Sequence, residues 1–135
     1  ATISAVIEAA LTGHSVFSTL HSQSVMQAIN RLLMLFPHEE KQRIYYDFFS
    51  TVSAIIWQTL IPSNDGKRVA LREYVVVDPA LRAKLLSASN EMMAPIIKQA
   101  MAQRQTSLTD HAATLLANGH INTQTYSLYC QPHHN

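Results

Sequence analysis

The apolar positions at the start of the chain recur at helical spacing and then give way to a short run with a different pattern. The first stripe predicts a helix from about residue 2 to residue 12 that ends at Gly13. It consists of Ile3, Val6, Ile7, Ala10 and Leu11. Residues 15–20 are too few for a helix and include Val, Phe and Thr, which favour strands. We therefore expect a short buried parallel strand over residues 16–20.

Helical spacing returns after the polar residues 21–24 and predicts two more helices. The first is capped by Ser22 or Ser24 and closes at Pro37. The second opens with acidic residues in its first turn, where the helix dipole favours them. Its apolar stripe is expected to run on to Leu60, with aromatic residues on the flanks. A helix that is apolar on nearly all sides is either central in the core or covered by another chain.

The second half of the chain shows one hairpin signal followed by short helical patterns. Asp65-Gly66 predicts a tight turn, and residues 68–77 predict the strand that follows it. Arg72 and Glu73 should point to opposite faces of this strand, which we expect to be a half-exposed edge strand. Asp78-Pro79 then starts a short helix. Three more helices are predicted over about residues 91–104, 107–118 and 123–129.

Composition describes an ordered, helix-rich polypeptide of one domain's length. The 135 residues are 47% hydrophobic and only 14% charged, and the formal net charge is +1. This charge provides no clustered basic surface for a nucleic-acid backbone. The single cysteine, Cys130, excludes an internal disulfide and is interpreted as an inert thiol in a reducing compartment. No apolar run approaches the length of a membrane span, and the chain does not start with a secretory signal.

His21 is the main candidate for chemistry, because it follows the predicted strand. In open α/β sheets, ligands bind beyond the carboxyl ends of strands, although a solvated turn histidine would look the same in sequence. With three glycines at 13, 66 and 119, neither G-x-x-x-x-G-K-[ST] nor G-x-G-x-x-G can occur. A continuous strand would place His14 and His21 roughly 23 Å apart, so they could not chelate one metal ion. The pair His133 and His134 is too near the terminus to indicate a site, and we expect no metal site.

Three stretches of sequence resemble the secretion ATPase superfamily, which drives type II secretion, type IV pilus extension and retraction, and type IV secretion. These stretches are T-I-x-x-V-I-E-A-A-L-T-G-H-S-V-F-S-T-L-H-S, I-N-R-L-L-M-L-F-P and W-Q-T-L-I-P-x-x-D-G-K-R-V-A-L-R-E-Y. The last is most similar to the branch found in conjugative plasmid transfer and Dot/Icm-type type IVB secretion. Residues 79–82 (P-A-L-R) resemble the A-[IL]-R motif of pilus-retraction members, although Lys84 departs from the apolar residue expected there.

The resemblance implies an α/β fold, namely the C-terminal part of a RecA-like ATPase domain (residues 1–78) followed by a small helical C-terminal subdomain (residues 79–135). It identifies residues 12–21 as the family's His box, with His21 as the residue that faces the nucleotide phosphates. The other His-box positions are Thr12, Gly13, His14 and Thr19, and Arg82 is a possible motor residue. His14 is expected to support the turn or a neighbouring element instead of sensing phosphate.

The function implied is that of a C-terminal fragment of a hexameric ATPase that uses ATP and Mg²⁺ to power conjugation, type IV secretion or pilus movement. The phosphate-binding loop, the Walker B acids and the arginine fingers of the family lie upstream of the His box, so this fragment alone should be inactive and should not bind nucleotide tightly. Expected partners are copies of itself and inner-membrane secretion or pilus proteins, in the cytoplasm. The alternative is a stand-alone helical interaction module without catalysis, supported by the apolar helix predicted to end at Leu60 and by the absence of any catalytic set of residues.

Overall fold

The computed structural model describes residues 3–130; the predicted helix start at residue 2 and the His133-His134 tail lie outside the described residues. Seven α-helices and a two-stranded antiparallel sheet are present in this part of the chain. The helices before the sheet are α1 (Ile3–Leu11), α2 (Val25–Met34) and α3 (His38–Thr51). The strands are β1 (Ala54–Pro62) and β2 (Arg68–Val76). The later helices are α4 (Pro79–Ser87), α5 (Met93–Arg104), α6 (Leu108–Ala117) and α7 (Thr123–Tyr129), with a 3₁₀ turn at Asn90–Met92 before α5.

The helix boundaries follow from capping residues that the sequence displays. Ser24, not Ser22, caps α2, since its side chain accepts a hydrogen bond from the Gln27 N–H at 3.0 Å. Asp78, Ser107 and Asn122 cap α4, α6 and α7 in the same way. Gly13 follows α1 at a φ of +93°, a conformation that favours glycine. The predicted helices and strands therefore form close to where they were expected, except in two places.

The first exception is the predicted helix that was to continue to Leu60, which is wrong. The helix ends at Thr51, and residues 54–62 form β1 instead. Burial alternates along β1, with Ile55, Trp57 and Ile61 turned inward and Ile56 67% exposed. The apolar residues fit helical spacing by coincidence, because a dense apolar run satisfies both periods. The helix that was apolar on all sides does not exist.

The second exception is the strand expected at residues 16–20, which is also wrong. Residues 14–22 have no regular secondary structure, and the Phe17 side chain is 98% exposed. A strand forms only where a neighbouring strand takes up its backbone hydrogen bonds. Within residues 3–130 the two strands pair only with each other, so the residues 16–20 have no partner.

The two strands form a hairpin whose turn contains Asp65-Gly66, as predicted. Helices precede and follow this hairpin in the chain. Its register pairs Ala54 with Val76 and Pro62 with Arg68, and Trp57 lies directly opposite Glu73. The outer edge of β2 is covered, because the Tyr74 N–H donates to the Thr106 carbonyl and the Arg72 N–H donates to His111 Nδ1. The helices α5 and α6 thus protect this edge.

Three apolar clusters hold the helices to one another and to the hairpin. The largest joins α2, α3, β2, α4 and α5, and its fully buried members include Phe49, Leu85 and Ile97. A second cluster packs α6 and the residues around α7 on the hairpin, and a third joins α1 to α2 and α3. Trp57 contacts both of the first two clusters. The largest cluster contains residues from both sides of position 78.

The expected α/β class is confirmed, with many helices and one small sheet. Among the described residues, no helix is both long enough and apolar enough to cross a membrane.

Candidate functional site

His21 lies in a turn that is held by its backbone while its ring stays exposed. The Arg31 Nη1 donates to the His21 carbonyl at 2.7 Å, and the Trp57 Nε1 donates to the Ser22 carbonyl at 3.0 Å. Within residues 3–130 the imidazole of His21 has no hydrogen-bond partner. These hydrogen bonds therefore hold the backbone of His21 in place, while both ring nitrogens remain available to a ligand.

The start of α2 holds the same turn from the other side. The Val25 N–H, the first of the helix, donates to Glu73 Oε1 at 2.8 Å. Trp57 and Glu73 are cross-strand neighbours in the hairpin, and both face inward. Two side chains of one cross-strand pair thus contact the turn between His21 and Val25.

The sequence pattern does not predict this support, although it contains part of the signal. Leu71, Glu73 and Val75 are alternate residues of β2 and lie on its buried face. Glu73 is therefore an acid between two apolar residues. Its side chain is only 8% exposed. A buried carboxyl group requires hydrogen-bond donors, and the strand pattern alone does not say which ones.

The other His-box residues lie after the end of α1 and in the segment 14–22, which has no regular secondary structure. Thr12 Oγ1 donates to the Ala9 carbonyl at 2.9 Å and lies 3.0 Å from His14 Nδ1. The contact between Thr12 and His14 stays within the turn that Gly13 forms. Thr19 is exposed in the segment that lacks secondary structure.

An open groove of about 790 Å³ runs beside this segment. It lies between α1, the residues 14–22, α2 and the start of β1. His14, Thr19 and His21 all line it, together with Ile29 and Trp57. The structure thus brings three of the five predicted His-box residues to one groove. The separation expected between His14 and His21 assumed a continuous strand, and it does not apply because residues 14–22 form none.

Arg82 is occupied by three backbone carbonyl groups. Its Nη1 donates to the carbonyls of Phe49 at 2.7 Å and Val52 at 3.1 Å, and its Nη2 donates to that of Val77 at 3.0 Å. These contacts join the end of α3 to the segment between β2 and α4. The guanidinium is half-buried, whereas Lys84 on the same helix is exposed.

His111 and Cys130 are two of the four described residues whose pKa is shifted, and neither lines the groove. Burial, and secondarily the charge of Arg72, lowers the pKa of His111. Burial raises the pKa of the Cys130 thiol, which agrees with an inert cysteine. In residues 3–130, no three His, Cys, Asp or Glu side chains come together as metal ligands.

Comparison with known proteins gives the class to which this arrangement belongs. The family described as type II/IV secretion system protein matches residues 1–113. The chain is 41% identical over 81 residues to the type IV pilus retraction ATPase PilT of Pseudomonas aeruginosa, which covers 60% of this chain and 24% of PilT.

Two solved structures are similar to the whole described fold. The ATPase DotB of Legionella pneumophila superposes with a TM-score of 0.88 and 37% identity, over 93% of this chain and 34% of DotB. The pilus retraction motor PilT with bound ADP gives a TM-score of 0.79 over 97% of this chain and 36% of that one, and at 23% identity it supports the fold alone. The chain thus spans between about a quarter and about a third of the length of these proteins.

The chain belongs to the type II/IV secretion system protein family. The expected membership in the secretion and pilus ATPase superfamily, including its Dot/Icm-type branch, is confirmed. Because the structural neighbours are RecA-like ATPases, the fold class is confirmed as well. Its relatives in this family include ATPases of type IV pilus retraction.

Proposed function

We propose that the chain is the C-terminal part of an ATPase that powers type IV secretion, conjugation or pilus movement. The observation that carries this proposal is the His21 turn, whose backbone is held by Arg31 and Trp57 while its imidazole is free. A ring without a partner, on a backbone that is held in place, suits a group that must meet a ligand. Family membership and the likeness to DotB support the same conclusion.

In this proposal His21 senses the terminal phosphate of ATP. An imidazole N–H directed at this phosphate gains strength as charge redistributes in the transition state. Thr12, Gly13, His14 and Thr19 shape the groove-side segment around it, and Arg82 ties α3 to α4 so that the later helices follow the motor domain. The division at residues 78 and 79 into motor part and helical subdomain belongs to this proposal.

ATP and Mg²⁺ require groups beyond those that residues 3–130 present. Imidazole and hydroxyl groups at the groove fit phosphate oxygens as hydrogen-bond donors. The acids that would hold Mg²⁺ and the loop that would surround the phosphates are assigned to an upstream part of a longer polypeptide. When bound, Mg²⁺ would neutralise charge on the phosphates, while His21 of this chain would orient and stabilise the terminal one.

The assembly is proposed to be a hexamer in the cytoplasm, attached to the inner membrane through secretion or pilus proteins. The low charge of the chain and the exposed apolar side chains around the groove, such as Phe17 and Leu20, suit a protein with covered surfaces. The stand-alone interaction module has lost one of its two supports, because the helix expected to run to Leu60 is a helix followed by a strand.

The proposal is tested by comparing the longer polypeptide with the 135-residue chain. The longer polypeptide should contain an in-frame G-x-x-x-x-G-K-[ST] loop, hydrolyse ATP with Mg²⁺ and have the mass of six subunits by light scattering. The 135-residue chain should release no phosphate above a buffer blank. Turnover by the 135-residue chain, or a start codon near Thr2 with no upstream loop, would overturn it.

A further inference from the structure

Glu73 is a buried acid whose two carboxyl oxygens contact the first residues of two different helices. Oε1 accepts the Val25 N–H of α2 at 2.8 Å, and Oε2 lies 3.4 Å from the Leu108 N–H of α6. The first N–H groups of a helix have no partner inside it and carry partial positive charge. One side chain on β2 therefore satisfies both helix starts.

Capping alone does not account for Glu73, because each helix has its own cap. Ser24 accepts from Gln27 in α2, and Ser107 accepts from Asp110 in α6. An apolar residue between Leu71 and Val75 would continue the apolar row without needing donors. What Glu73 adds is a link between the two helices through the middle of β2.

This link reaches the turn that carries His21. Trp57, opposite Glu73 in the hairpin, donates to the Ser22 carbonyl one residue after His21. Glu73 holds the N–H of Val25 at the other end of the same turn. A rotation of the turn relative to the hairpin would have to break both hydrogen bonds, so the cross-strand pair fixes its orientation.

We propose that Glu73 is a positioning residue for His21, and that its second oxygen couples the position of α6 to the His21 turn. If α6 moves away from β2, Oε2 loses Leu108, the carboxyl group is free to rotate, and its hold on Val25 weakens. The direction of His21 therefore depends on a helix outside the groove. Only the statement that His21 contacts a terminal phosphate rests on the proposed function; the coupling is a property of the 135-residue chain.

The first test is NMR spectroscopy of the 135-residue chain with Glu73→Gln, which keeps the shape and removes one acceptor. Loss of one hydrogen bond should raise the amide exchange rate at Val25, Leu108 or both by about tenfold. The ring C–H resonances of His21 should shift as well. Glu91→Gln, an exposed acid before α5, is the matched control and should change none of these signals.

The second test addresses coupling. Ser107→Ala loosens the start of α6 without touching the His21 turn, and it should shift the His21 ring resonances in the wild-type background. The same change should leave them unmoved when Glu73→Leu is already present. If Glu73→Gln prevents folding, Glu73→Asp takes its place, because it keeps the charged carboxyl group and, being one CH₂ shorter, draws it back from the N–H groups of Val25 and Leu108.

Unchanged His21 resonances in folded Glu73→Gln, or in Glu73→Asp where that variant replaces it, would overturn the proposal. The proposal would also be overturned if the effect of Ser107→Ala on the His21 resonances persisted with Glu73→Leu.

In the longer polypeptide, Glu73→Gln should lower kcat by about tenfold with little change in ATP affinity, as expected for a misdirected group. If the NMR coupling is found but His21→Ala leaves turnover intact, the proposed function fails and the coupling stands. If His21→Ala abolishes turnover but the NMR coupling is missing, the coupling fails alone.

Discussion

The Arg82 guanidinium donates to the carbonyl oxygen of Phe49 at 2.7 Å, across the junction between α4 and the end of α3. The same group also reaches the carbonyls of Val52 and Val77. These carbonyls lie where α3 and β2 end, where regular hydrogen bonding stops. Arg82 of the P-A-L-R stretch therefore has a structural role, and any role in the motor must be compatible with it.

Arg82→Ala should lower the free energy of unfolding of the 135-residue chain by about 1 to 3 kcal/mol. Hydrogen bonds from a charged donor are worth about this much, and three carbonyl groups lose their partner together. Lys84→Ala, an exposed change on the same helix, should stay within about 0.5 kcal/mol of wild type. Urea denaturation of both variants measures the difference. Equal stability of Arg82→Ala and wild type would show that the three contacts carry no net stabilisation.

Ser24→Ala should cost about 1 kcal/mol of stability, because α2 loses the side-chain cap on the Gln27 N–H. Ser22→Ala should cost clearly less, since the Ser22 hydroxyl only donates a 3.3 Å contact to the Ser24 carbonyl. Denaturant midpoints of the two variants check the order. A larger loss of stability for Ser22→Ala would contradict the assignment of Ser24 as the cap of α2.

Much of this fold is predictable because its signals are local. Gly13, Asp65-Gly66 and the cap residues Asp78 and Ser107 each mark a boundary through the chemistry of one or two residues. The two errors arose where the outcome depends on the rest of the molecule. Residues 16–20 have strand-forming side chains, but a strand needs a neighbour, and β propensity contains no information about that neighbour.

The error around Ile55 and Ile56 has a different origin. The run from residue 54 to residue 62 is rich in β-branched and aromatic side chains, which should have outweighed its fit to helical spacing.

The candidate site likewise depends on contacts with distant parts of the chain. His21 was expected to follow a strand that does not form, and its supports Trp57 and Glu73 come from 35 or more residues away in the sequence. Their contact depends on the register of the hairpin, which no single-sequence pattern specifies.

Substitutions in β1 should distinguish the strand from the predicted helix. Ile61→Ala should cost about 2 to 5 kcal/mol, because this side chain is only 1% exposed and its removal leaves a cavity. Ile56→Ala should cost less than about 0.5 kcal/mol, since Ile56 lies on the exposed face. Both are measured by urea denaturation of the 135-residue chain. A continuous helix would instead make Ile56→Ala costly.

His111 should make the stability of the chain fall in mild acid. Its Nδ1 accepts the Arg72 N–H at 2.9 Å, which requires an unprotonated nitrogen, and burial followed by the Arg72 charge lowers its pKa. The unfolded chain therefore binds more protons than the folded chain just below the usual histidine pKa of about 6.5. The contribution is complete above that value and is lost as the pH falls through the lower folded pKa.

His111→Asn is the matched variant for this effect, because it offers an oxygen acceptor near the place of Nδ1 and does not titrate. Denaturation at about pH 7.5 and about pH 5.5 should show a larger loss of stability for wild type than for His111→Asn. Equal losses in the two proteins would mean that His111 does not contribute to the pH dependence.

The most direct test of the proposed phosphate-sensing role is paired nucleotide affinity and steady-state turnover for His21→Ala in the longer polypeptide. His38→Ala, an exposed histidine at the start of α3, is the control, and His14→Ala should act mainly through folding or assembly. We expect kcat to fall by about 10² to 10³ in His21→Ala, as for the loss of one transition-state donor, while ATP affinity changes little. Wild-type turnover in His21→Ala, or equal losses of affinity and turnover, would contradict the account.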